Sequence, residues 1–444
     1  SFDFTEDLSA DLVLTYINED SDKSIRTKCV CTKDSEYACS PLSVGTETPD
    51  VSSSIFQTIN LLVLGGSLFT PGVDYFADSV NPSSFRDVRM DMDPTYETEQ
   101  FGASLEFNYD WGDYRFTSLT GYYDTDADLF WDYDQFQTDV RLNYPVTFRA
   151  NGKDVITTDQ ILSGRRQLFD RDQFTQEFRV VSSYEGRFNF LLGAFYYEED
   201  ASTETLITHP ALAEGARVLG LSSLYEMYRV ESDPVETESF ALFGEGYFQV
   251  NDRARLTVGL RYTDDEKKSR SRLILLNLAP EGWAEGDDDW QEVTGKVTLE
   301  YSITEDSMVY GSFARGYKAG GLNPGGPSGG EVFDPEYINS FELGSKNMFL
   351  DGRLQANAGA FYYDYEDMQI GQINEITTTT VNGDATVMGI ESEFVFVPTE
   401  ALRLDLGLAW LDFEIDDFQS ADQGDPDGIA PGTVPALDEN GEPR

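Results

Sequence analysis

The chain contains a single histidine, His209, so histidine-centred triads and His-rich metal sites have almost nothing to build on. Positive charge is scarce too, with 31 Lys and Arg against 81 Asp and Glu and a formal net charge of −50. That balance argues against nucleic acid, whose phosphates demand basic patches, and disfavours adsorption to anionic membrane surfaces. Long apolar runs are missing as well. The nearest approach, Val51–Val73, is uncharged but broken by Ser, Thr, Asn, Gly and Pro, and its centre Ile59–Phe69 is too short to cross a bilayer as a helix. No leader segment of charged, apolar and small-residue regions opens the chain. It begins within strand-like Phe2-Asp3-Phe4 and ends in a Pro- and acid-rich tail, so both ends read as cut and an internal portion of a longer protein is expected.

Cysteine is limited to Cys29, Cys31 and Cys39, all in one polar stretch. A zinc site would need a fourth ligand that the neighbourhood does not offer. A disulfide closing a small exposed loop is expected instead, with Cys39 bonded to Cys31 or to Cys29, in an oxidising compartment. The acidic clusters show no spaced Asp/Asn–Gly loop of the EF-hand type. No metal site and no cofactor are expected.

What the chain does have is aromatics, 13% of residues with 24 Tyr and 30 Phe, and a persistent period of two. Lys296–Gly321 is the clearest unit. Val297, Leu299 and Tyr301 alternate with Lys296, Thr298 and Glu300, a tight acidic turn follows at Thr304–Asp306, and the second arm runs into a Gly/Pro-rich loop. Alternation of this kind marks strands with unlike environments on their two faces. It recurs along the chain as roughly fifteen strands of about ten residues, the length a tilted strand needs to span a bilayer. The connections alternate between short turns and long loops. The stretches 20–100, 201–233 and 264–289 read as loops, as does 419–444. A soluble sandwich would alternate too, but has no reason to gather its long loops at one end. Aromatics such as Tyr109, Trp111, Tyr122, Tyr196, Tyr362 and Trp410 sit near strand ends, as interface girdles do. The fold class expected is all-β, an antiparallel transmembrane β-barrel with short periplasmic turns and long extracellular loops. Glu106, Glu245, Arg261, Lys296, Glu300, Glu342, Lys346, Glu391, Glu393 and Arg403 would then line a wet lumen.

Phe116–Tyr123 (FTSLTGYY), Phe174–Ser182 (FTQEFRVVS), Leu256–Thr263 (LTVGLRYT), Val309–Gly321 (VYGSFARGYKAGG) and Met388–Glu393 (MGIESE), in this order and spacing, resemble the barrel of TonB-dependent outer-membrane receptors. The resemblance covers about Tyr96–Phe413. It implies a barrel of about 22 strands, of which roughly fifteen are present, making 1–444 a partial barrel domain without the family's plug and TonB box. It further implies insertion in outer-membrane lipid of a Gram-negative bacterium and coupling to the TonB–ExbB–ExbD complex through the plug. The cargo would be a small-molecule or oligosaccharide substrate, most commonly an iron–siderophore complex. Arg315, Tyr317 and Lys318, where a strand emerges into its outer loop, are candidate ligand contacts, against the alternative that they anchor the strand at the interface. A passive porin is the rival reading and a secreted acidic all-β protein the more remote one. An enzyme is not expected, because carboxylate groups such as Asp287–Asp289 or Glu391 with Glu393 read as solvated or lumen-lining charge rather than acid–base pairs.

Overall fold

The computed structural model describes residues 2–24, 32–34, 38–39, 84, 86–90, 92–132, 141–150, 153–160, 164–208, 226–275, 282–323, 332–374 and 377–416. Fifteen strands form one antiparallel sheet. They are β1 (Phe2–Asp3), β2 (Leu8–Ser21), β3 (Thr95–Trp111), β4 (Tyr114–Asp132), β5 (Gly164–Ser182), β6 (Phe188–Thr208), β7 (Glu226–Ser232), β8 (Val235–Asn251), β9 (Ala254–Leu275), β10 (Ala284–Thr304), β11 (Ser307–Lys318), β12 (Glu336–Phe349), β13 (Leu354–Asn374), β14 (Thr377–Thr399) and β15 (Leu402–Asp416). Spatial order follows chain order, except that β7 and β8 lie end to end and both pair with β6 and β9. Asp233-Pro234 separates those two, since proline has no N–H to give to a ladder. Three two-stranded ribbons are not part of the sheet's ladder, at Lys33–Asp34 with Ala38–Cys39, Arg141–Ala150 with Lys153–Gln160, and Gly321–Leu322 with Val332–Phe333. The expected disulfide, Val51–Val73, His209 and 419–444 lie outside the described residues, apart from the backbone of Cys39.

Residues opposite each other in an antiparallel ladder point to the same face, so register carries face identity from strand to strand. Leu256 faces Leu299, while Val258 faces Val297, Val297 faces Phe313, Phe313 faces Phe341 and Phe341 faces Tyr362. This face is apolar and open, with Leu260 63% and Leu343 68% exposed. The buried hydrophobic residues are mostly small or lie near the long-loop ends, among them Ala10, Ala241, Ala254 and Ile207. A sheet that leaves its large apolar side chains uncovered over many strands is built to meet lipid. On the other face, aromatic rings lie across the neighbouring strand onto glycines. Phe243 covers Gly193, Tyr310 covers Gly344 and Phe361 covers Gly389, so that a Cβ at any of these would run into the ring.

The short connections use ordinary turn chemistry. Leu350, Asp351 and Gly352 all take positive φ (57°, 56° and 81°) between β12 and β13. Asn251 Oδ1 accepts from the N–H of Arg253 and of Ala254 between β8 and β9.

Strand length departs from expectation. Strands of about ten residues are predicted from the span of alternation, yet β3 has 17 residues, β13 has 21 and β14 has 23. Thr95–Gln100, within the stretch read as loop, belongs to β3. Most of the acidic loop expected at 264–289 is instead paired strand, with Asp264 opposite Gln291, Asp265 opposite Trp290, Glu266 opposite Asp289 and Lys268 opposite Asp287. Both ends of the stretch 201–233 are likewise strand, residues 201–208 as the end of β6 and Glu226–Ser232 as β7. The loop-side connection between β13 and β14 shrinks to two residues, because both strands run on to pair Asn374 with Thr377. Above the apolar band neither face has to be apolar, so hydrogen bonding continues where the two-residue hydrophobic rhythm stops.

Candidate functional site: a hairpin end folded inward on the polar wall

The register sets Glu106, Glu245, Arg261, Lys296, Glu300, Glu342, Lys346, Glu391, Glu393 and Arg403 on one face, opposite in sense to the apolar one. Many of them form a band of satisfied charge. Gly259 lies between Glu245 and Lys296 in the ladders, and with no side chain there the carboxylate and ammonium meet at 2.7 Å. Arg255 reaches Glu300 at 3.8 Å. The Tyr310 hydroxyl donates to Glu342 (2.5 Å) while the Lys346 ammonium sits 5.5 Å from the Tyr310 ring centre. Arg261 lies against the rings of Phe195 and Phe243 and donates to Thr263 Oγ1 at 3.0 Å. Asn357 separates Lys346 from Glu393 and donates to the latter. Glu106 on β3 and Arg403 on β15 stand far apart in the sheet and join no common cluster; Arg403 pairs with Asp405 at 2.8 Å.

Arg315, Tyr317 and Lys318 mark a break in this wall. Pairing between β10 and β11 ends at Gly295 opposite Arg315, whereas β11 stays paired with β12 as far as Lys318 opposite Glu336. Arg315 shares its face with Phe313 and is fully engaged. Its guanidinium donates to Asn339 (2.9 Å) and to both carboxylate oxygens of Glu366 (3.3 and 3.1 Å), and lies 4.5 Å from the Tyr337 ring centre. Tyr317 and Tyr337 continue that face, yet they meet residues of the opposite, polar face. The Tyr337 hydroxyl donates to Glu292, and Tyr317 lies beside Asp265. The end of the β11–β12 hairpin therefore folds inward across β9 and β10. Lys267 ties it down by donating to the Gly320 carbonyl at 2.9 Å, with the Trp290 ring 5.9 Å away. Burial pushes the Lys267 ammonium below its ordinary pKa, opposed by the Asp265 carboxylate and reinforced by nearby Lys318. On the far side Gln369 donates to the Ala319 and Asp334 carbonyls, and Asn323 exchanges two hydrogen bonds with the Thr380 backbone.

Of the three candidate contacts, Arg315 is a structural clamp, Tyr317 is half-buried, and Lys318 is exposed and makes no ion pair among the described residues. Asp265, Lys267, Trp290 and Glu292 complete the cluster but fall in or beside the stretch read as acidic loop. Extending the two-residue alternation of Leu260–Arg261–Tyr262–Thr263 onward through 264–267 would have put Asp265 and Lys267 on the polar face.

Comparison with known proteins matches residues 52–437 to the family model described as TonB dependent receptor-like, beta-barrel. The chain is 27% identical over 187 residues to the pesticin receptor of Yersinia enterocolitica, covering 40% of this chain and 27% of that protein. It is 26% identical over 185 residues to the probable TonB-dependent siderophore receptor PiuA of Acinetobacter baumannii, covering 40% and 24% respectively. Among solved structures, the PiuA receptor superposes with a TM-score of 0.58 at 18% identity, over 92% of this chain and 54% of that one. The ferric yersiniabactin uptake receptor FyuA of Yersinia pestis gives 0.58 at 17% identity, over 73% and 44%. The chain thus spans about half the length of these structural relatives. With the family model covering most of its length, the chain belongs to the TonB-dependent receptors of the Gram-negative outer membrane, as their β-barrel.

Proposed function

We propose that this wall serves an outer-membrane importer that takes up a scarce metal chelate, foremost an iron–siderophore complex, at the expense of energy delivered by TonB–ExbB–ExbD through a plug. The observation that carries the reading is the wall itself. One face is apolar and exposed over successive strands, the other carries charged side chains held by ion pairs and neutral hydrogen bonds, and the family match extends from residue 52 to 437. In this reading the apolar face meets lipid, Glu106, Glu245, Arg261, Lys296, Glu300, Glu342, Lys346, Glu391, Glu393 and Arg403 line the lumen, Thr304–Asp306 lies on the periplasmic side, and Gly320-Gly321 lies outside. The inward-folded hairpin narrows the mouth, where Lys318 and Tyr317 meet passing cargo while Arg315 holds the fold through Asn339 and Glu366. Relatives described as siderophore and metal–pseudopaline receptors support the cargo class.

Uptake of radiolabelled iron chelates by a deletion strain, with and without the full-length gene, tests this. Import is expected to follow the gene and to collapse when a protonophore removes the proton motive force. Gene-dependent import that survives the protonophore would establish a passive pore, and unchanged uptake of every chelate would overturn the transport reading.

A further inference from the structure

Charge is distributed unequally between the two faces where β4, β5, β6 and β8 extend beyond the apolar band. One rung of β4, β5, β6 and β8 carries Asp124, Asp172, Asp200 and Glu236 directly opposite one another on the lipid-side face. The adjacent rung, on the lumen-side face, carries Tyr123, Gln173, Glu199 and Thr237. Its one carboxylate, Glu199, is matched by Arg171 at 3.3 Å. The neighbouring positions are Gln100, whose Oε1 accepts the Tyr123 hydroxyl at 3.0 Å, and Tyr197, opposite Ser239. The Tyr123 ring lies over Gly102, its nearest atom 3.4 Å from where a Cβ would stand, and so presents a broad aromatic surface against the wall. Gln173 makes no side-chain hydrogen bond among the described residues and is only partly buried. Solvation alone would place acid on both faces of a strand extension in water. Here acid crowds one face, while the other offers hydroxyls, amides and phenol rings; its charges are Glu199 with Arg171 and, on β9 opposite Thr237 and Ser239, Lys267, held by the Gly320 carbonyl, beside Asp265.

We infer that the lumen-side patch of Tyr123, Gln173, Tyr197, Thr237 and Ser239 binds an uncharged ligand rich in hydroxyl or amide groups by hydrogen bonding and ring stacking. The inference rests on the importer reading and narrows its cargo. A neutral metal chelate and a neutral oligosaccharide share this chemistry. An uncharged ligand gains little from long-range attraction, so its binding is insensitive to salt, and its specificity lies in the geometry of donors and acceptors.

The test uses the full-length receptor, plug included, with three probes: a neutral ferric trihydroxamate, a neutral maltohexaose-type oligosaccharide and an anionic ferric tricatecholate. One neutral probe is expected to bind with a Kd that changes less than about twofold between about 50 and about 500 mM NaCl. Gln173→Glu, nearly isosteric and at a partly exposed position, is expected to weaken it about tenfold or more, as is Tyr123→Ala. The trihydroxamate and oligosaccharide arms tell the two sources apart. Tighter binding of the tricatecholate that weakens with salt, no effect of either substitution, or binding of none of the three probes would overturn the inference. Energy-dependent uptake of the tricatecholate alone would do so while leaving the importer standing, whereas the absence of energy-dependent uptake of any chelate or glycan would remove the importer reading itself.

Discussion

The same strands meet two solvents along their length. In β9 the lipid-side face reads Leu256, Val258, Leu260 and Tyr262, then Asp264, Glu266, Lys268 and Arg270. The backbone ladder runs through this change without interruption, from Ala254 opposite Tyr301 to Ser271 opposite Ala284. Pairing is therefore not what the hydrophobic rhythm specifies. The rhythm specifies where the wall stops facing hydrocarbon, and the hydrogen bonds continue because backbone groups need partners in either medium. A substitution that ignores this boundary has the largest consequence. Leu260→Arg places a charge on the lipid face within the apolar band, where it is expected to cost about 2–4 kcal/mol. Asp172→Arg, on the same face but in the extension and flanked by Asp124 and Asp200, is expected to be neutral or mildly stabilising. Urea unfolding of the full-length barrel in lipid vesicles measures both, and equal losses would show that the boundary is misplaced.

A second contrast concerns the lumen-side face. Within the band Tyr310 is pressed onto Gly344, so that a Cβ there collides with the ring, while at the boundary Tyr123 clears Gly102 at an ordinary 3.4 Å. Gly344→Ala is expected to destabilise by about 1–3 kcal/mol, because the ring must leave its rotamer and release Glu342. Gly102→Ala is expected to stay within about 0.5 kcal/mol of wild type. Smaller still is the worth of Lys296 with Glu245. The pair meets at 2.7 Å, but the Lys296 side chain remains 47% exposed, so a double-mutant cycle to alanine should return a coupling of about 0.2–1 kcal/mol. A coupling of several kcal/mol would mean that this face is far drier than that exposure suggests.

The contrast also explains what could be read in advance. Faces and short turns were legible, because Val297, Leu299 and Tyr301 against Lys296 and Glu300 need only a period of two, and the Asp351-Gly352 turn needs only residues that tolerate positive φ. The family was legible for the same reason, from strand segments in fixed order. Strand ends were not. Asp264–Lys268 and Asp287–Asp289 are polar at every position, and a run without alternation looks like a loop whether or not it pairs. The cluster at the mouth was half legible. Arg315, Tyr317 and Lys318 stand out at the end of a clear strand, but Asp265, Lys267, Trp290 and Glu292 come from the strands read as loop. Their meeting depends on β11 parting from β10 beyond Arg315, which no local pattern encodes.

The smallest expected effect belongs to the acid-rich side of the extension, and its sign is informative. Asp170 lies directly opposite Asp126. Burial first, then the hydrogen bond shared with Asp126 and the charges of Asp126 and Asp172, push its carboxyl above the usual aspartate range. A carboxyl whose folded pKa is raised favours the fold when protonated. Its contribution is present at low pH and is lost as pH rises through the raised pKa, leaving opposed like charges at neutrality. The ends of β4 and β5 should therefore be tighter in mild acid than at neutral pH, by a few tenths of a kcal/mol at an exposed site. Hydrogen exchange of the amides at 124–128 and 168–172 reads this directly, with slower opening expected as pH falls into the carboxylate range, after correction for intrinsic exchange. Asp170→Asn should flatten the dependence and protect these amides at neutral pH, without altering exchange at Leu256–Tyr262 in the apolar band. The opposite sign would mean that the opposed carboxylates are bridged at neutral pH by cations from solution, and the extension would then be held by its acids rather than strained by them.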